Sequence, residues 1–152
     1  MNHELMMKIT ALMPMKTIMV RGEPYLERYF VGVNEHGAQD WLHRFLRSDS
    51  EEHLHSHPWE ADSTIICGWY EEQRLLRDKI KYSTVFVAGD ENIISTTTVH
   101  RIVDAEPNTW THMRVYPGRE PTWFFIEADG NKKIMESSPA DWYLDCKPRG
   151  LM

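Results

Sequence analysis

The chain has 152 residues, 41% of them hydrophobic and 26% charged, with a formal net charge of −6. These are the values of a single soluble globular domain, long enough to bury a core without disulfides. The acidic balance argues against a general nucleic-acid partner, because phosphate contact needs a basic face.

The pattern predicts one short helix over residues 3–13, with Leu5, Met6, Ile9, Leu12 and Met13 at roughly helical spacing, ended by Pro14. From there the chain reads as strands and turns, as its six Trp and 11% aromatic content favour. Tyr25–Val33 is aromatic and β-branched, and Asn34–Gly37 is a turn. Trp41–Leu46 alternates, with Trp41, His43 and Phe45 on one face and Leu42, Arg44 and Leu46 on the other. After a turn at 48–51 comes a strand that carries three histidines, then Ser63–Tyr70, interrupted by Gly68. Residues 71–80 are highly charged and either extend a hairpin or form a surface loop. Thr84–Val87 leads into the tight turn Ala88-Gly89-Asp90, and Asn92–Ile102 is strongly β-prone. Thr109–Tyr116 and Thr122–Glu127 are further strands, and Asp129-Gly130 is a turn. The tail Pro139–Cys146 reads as a short helix with Ser138 as N-cap. Many short strands at this spacing predict an all-β barrel or sandwich.

Cys67 and Cys146 are far apart and match no zinc spacing, which suits reduced thiols in a cytoplasmic protein. The N-terminal segment carries Glu4 and is broken by Pro14, so it does not read as a secretory signal. No apolar run approaches the length of a membrane helix. The expectation is no membrane partner.

The most informative segment is His53-Leu54-His55-Ser56-His57, followed by Pro58, Trp59 and Glu60. In a strand, residues i, i+2 and i+4 share a face. Three imidazoles on one face make a poor core, since each has polar nitrogens that need partners, but they present neutral donors well to a metal. His100 lies in a second β-prone segment about 45 residues on. Two His on one strand and a third on a facing strand can occupy one face of an ion's coordination sphere, leaving positions for water, dioxygen or substrate.

His55-Ser56-His57-Pro58, Gly68, Gly89-Asp90 and His100 together resemble the cupin superfamily, in its small bacterial and phage form with a His-x-His-Pro-Trp element. The resemblance covers roughly residues 40–125. It implies a double-stranded β-helix, or jelly-roll barrel, with short helical segments at both ends. It also implies a single cupin domain over 1–152 with its barrel core at about 25–127. It implies one divalent metal held by His55, His57 and His100. Counting from His53 and His55 puts the family's acidic ligand at Glu60, and counting from His55 and His57 puts it at Asp62. His53 is either a further ligand or a residue of the pocket mouth. The second signature lacks the Pro-x-Gly that usually precedes its histidine. Fe(II) suits oxygen chemistry; Zn, Ni, Mn and Cu are the alternatives, since the Irving–Williams order favours Cu and Zn in an imidazole-rich cage.

Arg44, Arg101 and Arg114 sit within predicted strands, and any that faced inward would take a substrate carboxylate or phosphate. Trp59 and Tyr70 are candidates for the pocket wall. The implied function is Fe(II)-dependent dioxygenation of a small polar molecule. The alternatives are a non-catalytic metal- or ligand-binding cupin and a cupin isomerase or epimerase. The resemblance also allows a homodimer.

Overall fold

The computed structural model describes residues 2–48, 53–77, 80–139 and 141–150. Its elements in chain order are α1 (His3–Ile9), β1 (Pro14–Val20), β2 (Glu23–Val33), β3 (Gln39–Phe45), β4 (Ala61–Cys67), β5 (Trp69–Leu76), β6 (Ile80–Val87) and β7 (Glu91–Ile94). There follow β8 (His100–Ala105), β9 (Thr109–Val115), β10 (Thr122–Ile126), β11 (Lys132–Glu136), a 3-10 turn at Trp142–Asp145 and β12 (Lys147–Pro148). Among the described residues no helix is long and apolar enough to cross a membrane.

The strands make two facing layers. One sheet runs β12-β1-β2-β3-β9-β4-β7. The other is built from β6-β5-β8 and from the hairpin β10-β11. The histidine segment joins these two pieces. His55 bridges both His100 and Phe125, through His55 N–H to His100 O (2.9 Å) and His100 N–H to His55 O (3.0 Å). Ser56 N–H donates to Phe124 O at 2.9 Å. The segment is therefore extended, as its alternation predicts, yet it forms single bridges rather than a full strand. The result is the all-β sandwich that the resemblance implies.

Several boundaries differ from the sequence expectation. The helix stops at Ile9, where the Thr10 hydroxyl turns back to donate to Met6 O at 2.8 Å. Pro14 opens β1 rather than ending a helix. The two-residue connection Arg21-Gly22, with φ of 52° and 78°, then closes a tight β1-β2 hairpin, because both central residues sit in the left-handed region. The charged stretch after Tyr70 continues β5 and pairs with β6 from Trp69↔Val87 to Leu76↔Ile80, so the hairpin alternative holds. The long β-prone stretch 92–102 splits into β7 and β8 around a turn where Ser95 and Thr98 bond to each other. The expected C-terminal helix is a single 3-10 turn with Asp141 at its N-cap position. Its Trp142 stacks on Trp41 at 4.7 Å and its Tyr143 on Phe30 at 4.2 Å.

Alternation sorts the side chains. Between the layers, Leu26, Phe45, Ile65, Tyr70, Ile102 and Ala105 pack with Tyr25. On the outer face of the larger sheet, α1 lays Met6 on Met15, Tyr29, Leu42 and Trp110. Gly68 lets the chain pass from one sheet to the other. Its φ is +84°, and a Cβ there would lie 2.8 Å from Thr109 Cα, so only glycine fits.

Candidate metal centre

Two elements bring the histidines together. The bridge segment supplies His55 and His57, which share a face by alternation, and the first residue of β8 supplies His100. One ligand atom from each lies within 4.8 Å of the others. Among the described residues this is the group of three His, Cys, Asp or Glu side chains placed to hold an ion.

The tautomers follow from the surrounding bonds. His100 Nδ1 lies 2.6 Å from Glu72 Oε2, and Glu72 is 1% exposed. Burial works to raise the Glu72 pKa. The hydrogen bond and charge of His100, with hydrogen bonds from Arg74 and Asn92, outweigh it and hold the carboxyl below the usual carboxylate range. An ionised carboxylate only accepts, so His100 donates from Nδ1, and its neutral form carries the lone pair on Nε2. His55 Nδ1–H donates to His53 O at 2.8 Å, which leaves His55 Nε2 as its lone pair. His57 Nε2–H then donates to His100 Nε2 at 2.8 Å.

A cation fits where that proton sits. Two imidazole nitrogens on adjacent positions of an ion, each about 2.1 Å from it, are about 3 Å apart. His55 and His57 are also in the right protonation state. Burial first, then the charge of His100, pushes His55 down to about 4. Burial first, then His55 and His100, holds His57 well below the ordinary histidine value. Both are therefore neutral near pH 7, as ligands must be. The carboxylate behind His100 is the usual outer partner of a metal-binding imidazole, fixing its ring and its tautomer.

The group separates two cavities. A cavity of about 560 Å³ has His55 and His57 in its wall, beside Trp59, Trp123, Phe125 and Trp142. Trp59 stacks on the His57 ring at 4.3 Å. On the inner side a smaller cavity of about 90 Å³ is lined by all three histidines, His43 and Tyr70.

The remaining sequence candidates fall elsewhere. His53 is exposed and stacks on Phe125 at 5.3 Å at the cavity wall, so its contribution to the group is its backbone carbonyl. Glu60 is exposed and outside the cluster. Asp62 sits on the outer face of β4 between the inward Ala61 and Ser63, and it accepts from the Tyr116 hydroxyl. Neither is placed as a fourth ligand.

Arg44, Arg101 and Arg114 are also corrected by alternation. Each follows an inward-facing residue by one position and so faces away. Arg44, next to His43, pairs with Glu27 at 3.0 Å. Arg114 pairs with Asp40 at 2.9 Å. Arg101, next to His100, donates to Gln73 Oε1, its cross-strand partner, at 2.8 Å. Tyr70 packs in the core, and its hydroxyl accepts from Asn92 at 2.8 Å. Of the proposed wall residues, Trp59 lines the large cavity and Tyr70 only the small one.

Sequence reasoning missed Glu72. It lies in a charged run, and only the pairing of β5 with β8 makes it a buried partner of His100. It also missed Arg28 and Arg119, which line the large cavity. Arg28 shares a strand face with Leu26, a signal that period-2 reading of β2 contained.

No protein-family model and no curated protein sequence matches the chain. Solved structures do. HEPD from Streptomyces albus, with 2-hydroxyethylphosphonate and Fe(II) bound, matches at TM-score 0.58 and 11% identity over 70% of this chain and 24% of that one. Hydroxypropylphosphonic acid epoxidase from S. wedmorenis matches at TM-score 0.52 and 6% identity over 66% of this chain and 56% of that one. An RmlC-like cupin from Shewanella frigidimarina matches at TM-score 0.51 and 20% identity over 70% of this chain and 86% of that one. The chain thus spans about half or less of the length of the two phosphonate proteins. At these identities the likeness carries the fold, and the chemistry rests on the residues.

Proposed function

We propose that this chain, a cupin by fold, is a metal-dependent enzyme acting on a small polar molecule. His55, His57 and His100 are the ligands of one divalent ion, and Fe(II) is the working metal. The observation that carries this reading is the convergence of three imidazoles, two of which, His55 and His57, stand in the wall of a cavity of about 560 Å³. A structural ion is enclosed by four protein ligands, whereas three ligands beside a cavity leave positions for exchange. Bound there, Fe(II) would supply one-electron chemistry with dioxygen. The reaction class is dioxygenation, in which both atoms of O2 enter the substrate and no further reductant is needed.

The protein's own residues have separate tasks. His55 and His100 present lone pairs whose direction is set by the His53 carbonyl and by Glu72. Trp59 holds the His57 ring by stacking. The cavity takes the substrate beside them. The printed description of the structurally similar HEPD, with Fe(II) and 2-hydroxyethylphosphonate, supports iron as the choice of metal. A metal-free isomerase or epimerase has less support. There a His would act as base, helped by Tyr or Lys, whereas His55, His57 and His100 are grouped as donors for an ion. The proposal places the protein in the cytoplasm, where Cys67 and Cys146 are free thiols.

The test is metal analysis of protein made anaerobically without a His tag, followed by O2-uptake measurements on a panel of small acids and alcohols. One equivalent of iron, and uptake abolished by His55→Ala and His100→Ala, is the expected result. Stoichiometric metal with no turnover on any substrate would favour the non-catalytic cupin. Metal-free protein with full activity in both variants would end the reading.

A further inference from the structure

The large cavity carries a charge pattern that the metal reading does not use. The chain as a whole has 23 acidic and 17 basic residues. Among the described residues the cavity wall reverses that balance: it contains Lys16, Arg21, Arg28 and Arg119 and no Asp or Glu. Four cationic side chains line the cavity beside His55 and His57.

Two of the four are set close to the histidines. Arg28, on the inward face of β2, lines the large cavity and the small one behind the histidines. Its charge is among the influences that lower the basicity of His43, His55 and His57, so its field reaches the site. Arg119 lies on the loop between β9 and β10. That loop is fastened to the histidine segment by Glu120 N–H donating to Pro58 O at 2.7 Å. The Arg119 side chain is half-buried and makes no ion pair among the described residues. Desolvation works against its charge. A guanidinium in that position gains most from an anion brought to it, and it can take a carboxylate or phosphonate on two donors. The other wall is aromatic, with Trp59, Trp123, Phe125 and Trp142.

We propose that the substrate is a small organic anion, with a carboxylate or phosphonate head held by Arg28 and Arg119 and an apolar or planar body against the tryptophan wall. This rests on the reading of the cavity as the substrate site of the metal centre. It replaces the outward Arg44, Arg101 and Arg114 with two arginines that face the cavity.

The test is calorimetric titration of the full chain with phenylphosphonate, benzoate and uncharged benzyl alcohol, done without metal and again after loading with Zn(II). Both anions bind at least tenfold tighter than benzyl alcohol, and phenylphosphonate against benzoate tells which head is preferred. Raising the salt weakens the anions and leaves the alcohol unchanged. Arg119→Gln loses the anion preference at least tenfold, and Arg119→Lys restores part of it. Arg28→Lys keeps the charge, loses the two-donor geometry and weakens the anions as well. Equal binding of all three probes by the wild-type protein overturns the proposal, and so do folded Arg119→Gln and Arg28→Lys variants with unchanged anion affinity. If both variants misfold, the probe comparison and the salt dependence of the wild type still decide. Zn(II) bound without anion preference leaves the metal centre standing and removes this proposal. Anion preference without Zn(II) binding does the reverse.

Discussion

Glu72→Gln isolates the part of the site that positions rather than binds. In the native chain Glu72 Oε2 accepts from His100 Nδ1 at 2.6 Å and from Asn92 Nδ2 at 2.8 Å, while Oε1 accepts from Arg74 Nε at 2.5 Å. A glutamine of the same shape has one acceptor end. If its oxygen faces His100, its NH2 meets the Arg74 guanidinium, donor against donor. If its oxygen faces Arg74, its NH2 meets His100 Nδ1, which must then accept, moving the ring proton to Nε2. That proton occupies the lone pair needed for a metal. Either arrangement costs. Loss of an outer carboxylate partner typically lowers metal affinity by 10–100-fold, about 1.4–2.7 kcal/mol. The Arg74 side chain is 23% exposed and regains some water, so the stability loss lies below the full penalty for a buried unpaired charge, at about 2–3 kcal/mol. The assay is chelator-competition titration with Zn(II) or Co(II) alongside urea unfolding of the metal-free protein. A folded variant with wild-type metal affinity would refute the assignment of Glu72 as the residue that orients His100.

Three further outcomes follow from the same geometry. His43 is fully buried, and burial, then the charges of Arg28 and His112, hold its pKa well below the ordinary value. The unfolded chain therefore takes up a proton at His43 that the fold refuses. The stability is fully present above the unfolded value of about 6.5 and falls with pH below it, by about 1.4 kcal/mol per pH unit. His43→Leu removes this slope, and denaturant midpoints of the two metal-free proteins at pH 7, 6 and 5 must converge. Parallel curves would contradict it. Gly68→Ala forces a Cβ to within 2.8 Å of Thr109 Cα at a φ of +84° and destabilises by at least about 2 kcal/mol, read as a drop in melting temperature. A melting temperature within a degree of wild type would show that the crossover tolerates a side chain. His53→Ala leaves metal affinity unchanged, because only the His53 carbonyl serves His55, whereas His55→Ala abolishes it. Equal losses in the two variants would make His53 a ligand.

The β architecture and the histidine pair were legible because both depend on local rules. Alternation in an extended chain puts His55 and His57 on one side whatever lies opposite, and imidazole is a metal donor in any fold. The turn residues marked most of the strand ends. β1 was not legible, because Pro14 reads equally as a stop and as a strand's first residue, and only the register with β2 separates the two. His100 was named as a candidate ligand through the family pattern, and the pairing of its backbone with that of His55 is the contact that brings its ring beside the pair.

The sequence by itself determined which chemistry is available: neutral nitrogen donors at fixed spacing, on strands, in a chain with a sandwich's composition. The tertiary structure decided which charged groups attend them. Glu72 and His100 are 28 positions apart and meet at 2.6 Å only because β5 and β8 pair antiparallel. Arg44, Arg101 and Arg114 lost their candidacy, and Arg28 and Arg119 gained theirs, by the direction each side chain takes from its strand or loop. A charge reads the same in sequence on either face of a sheet, and the face is set by register with strands far away in the chain.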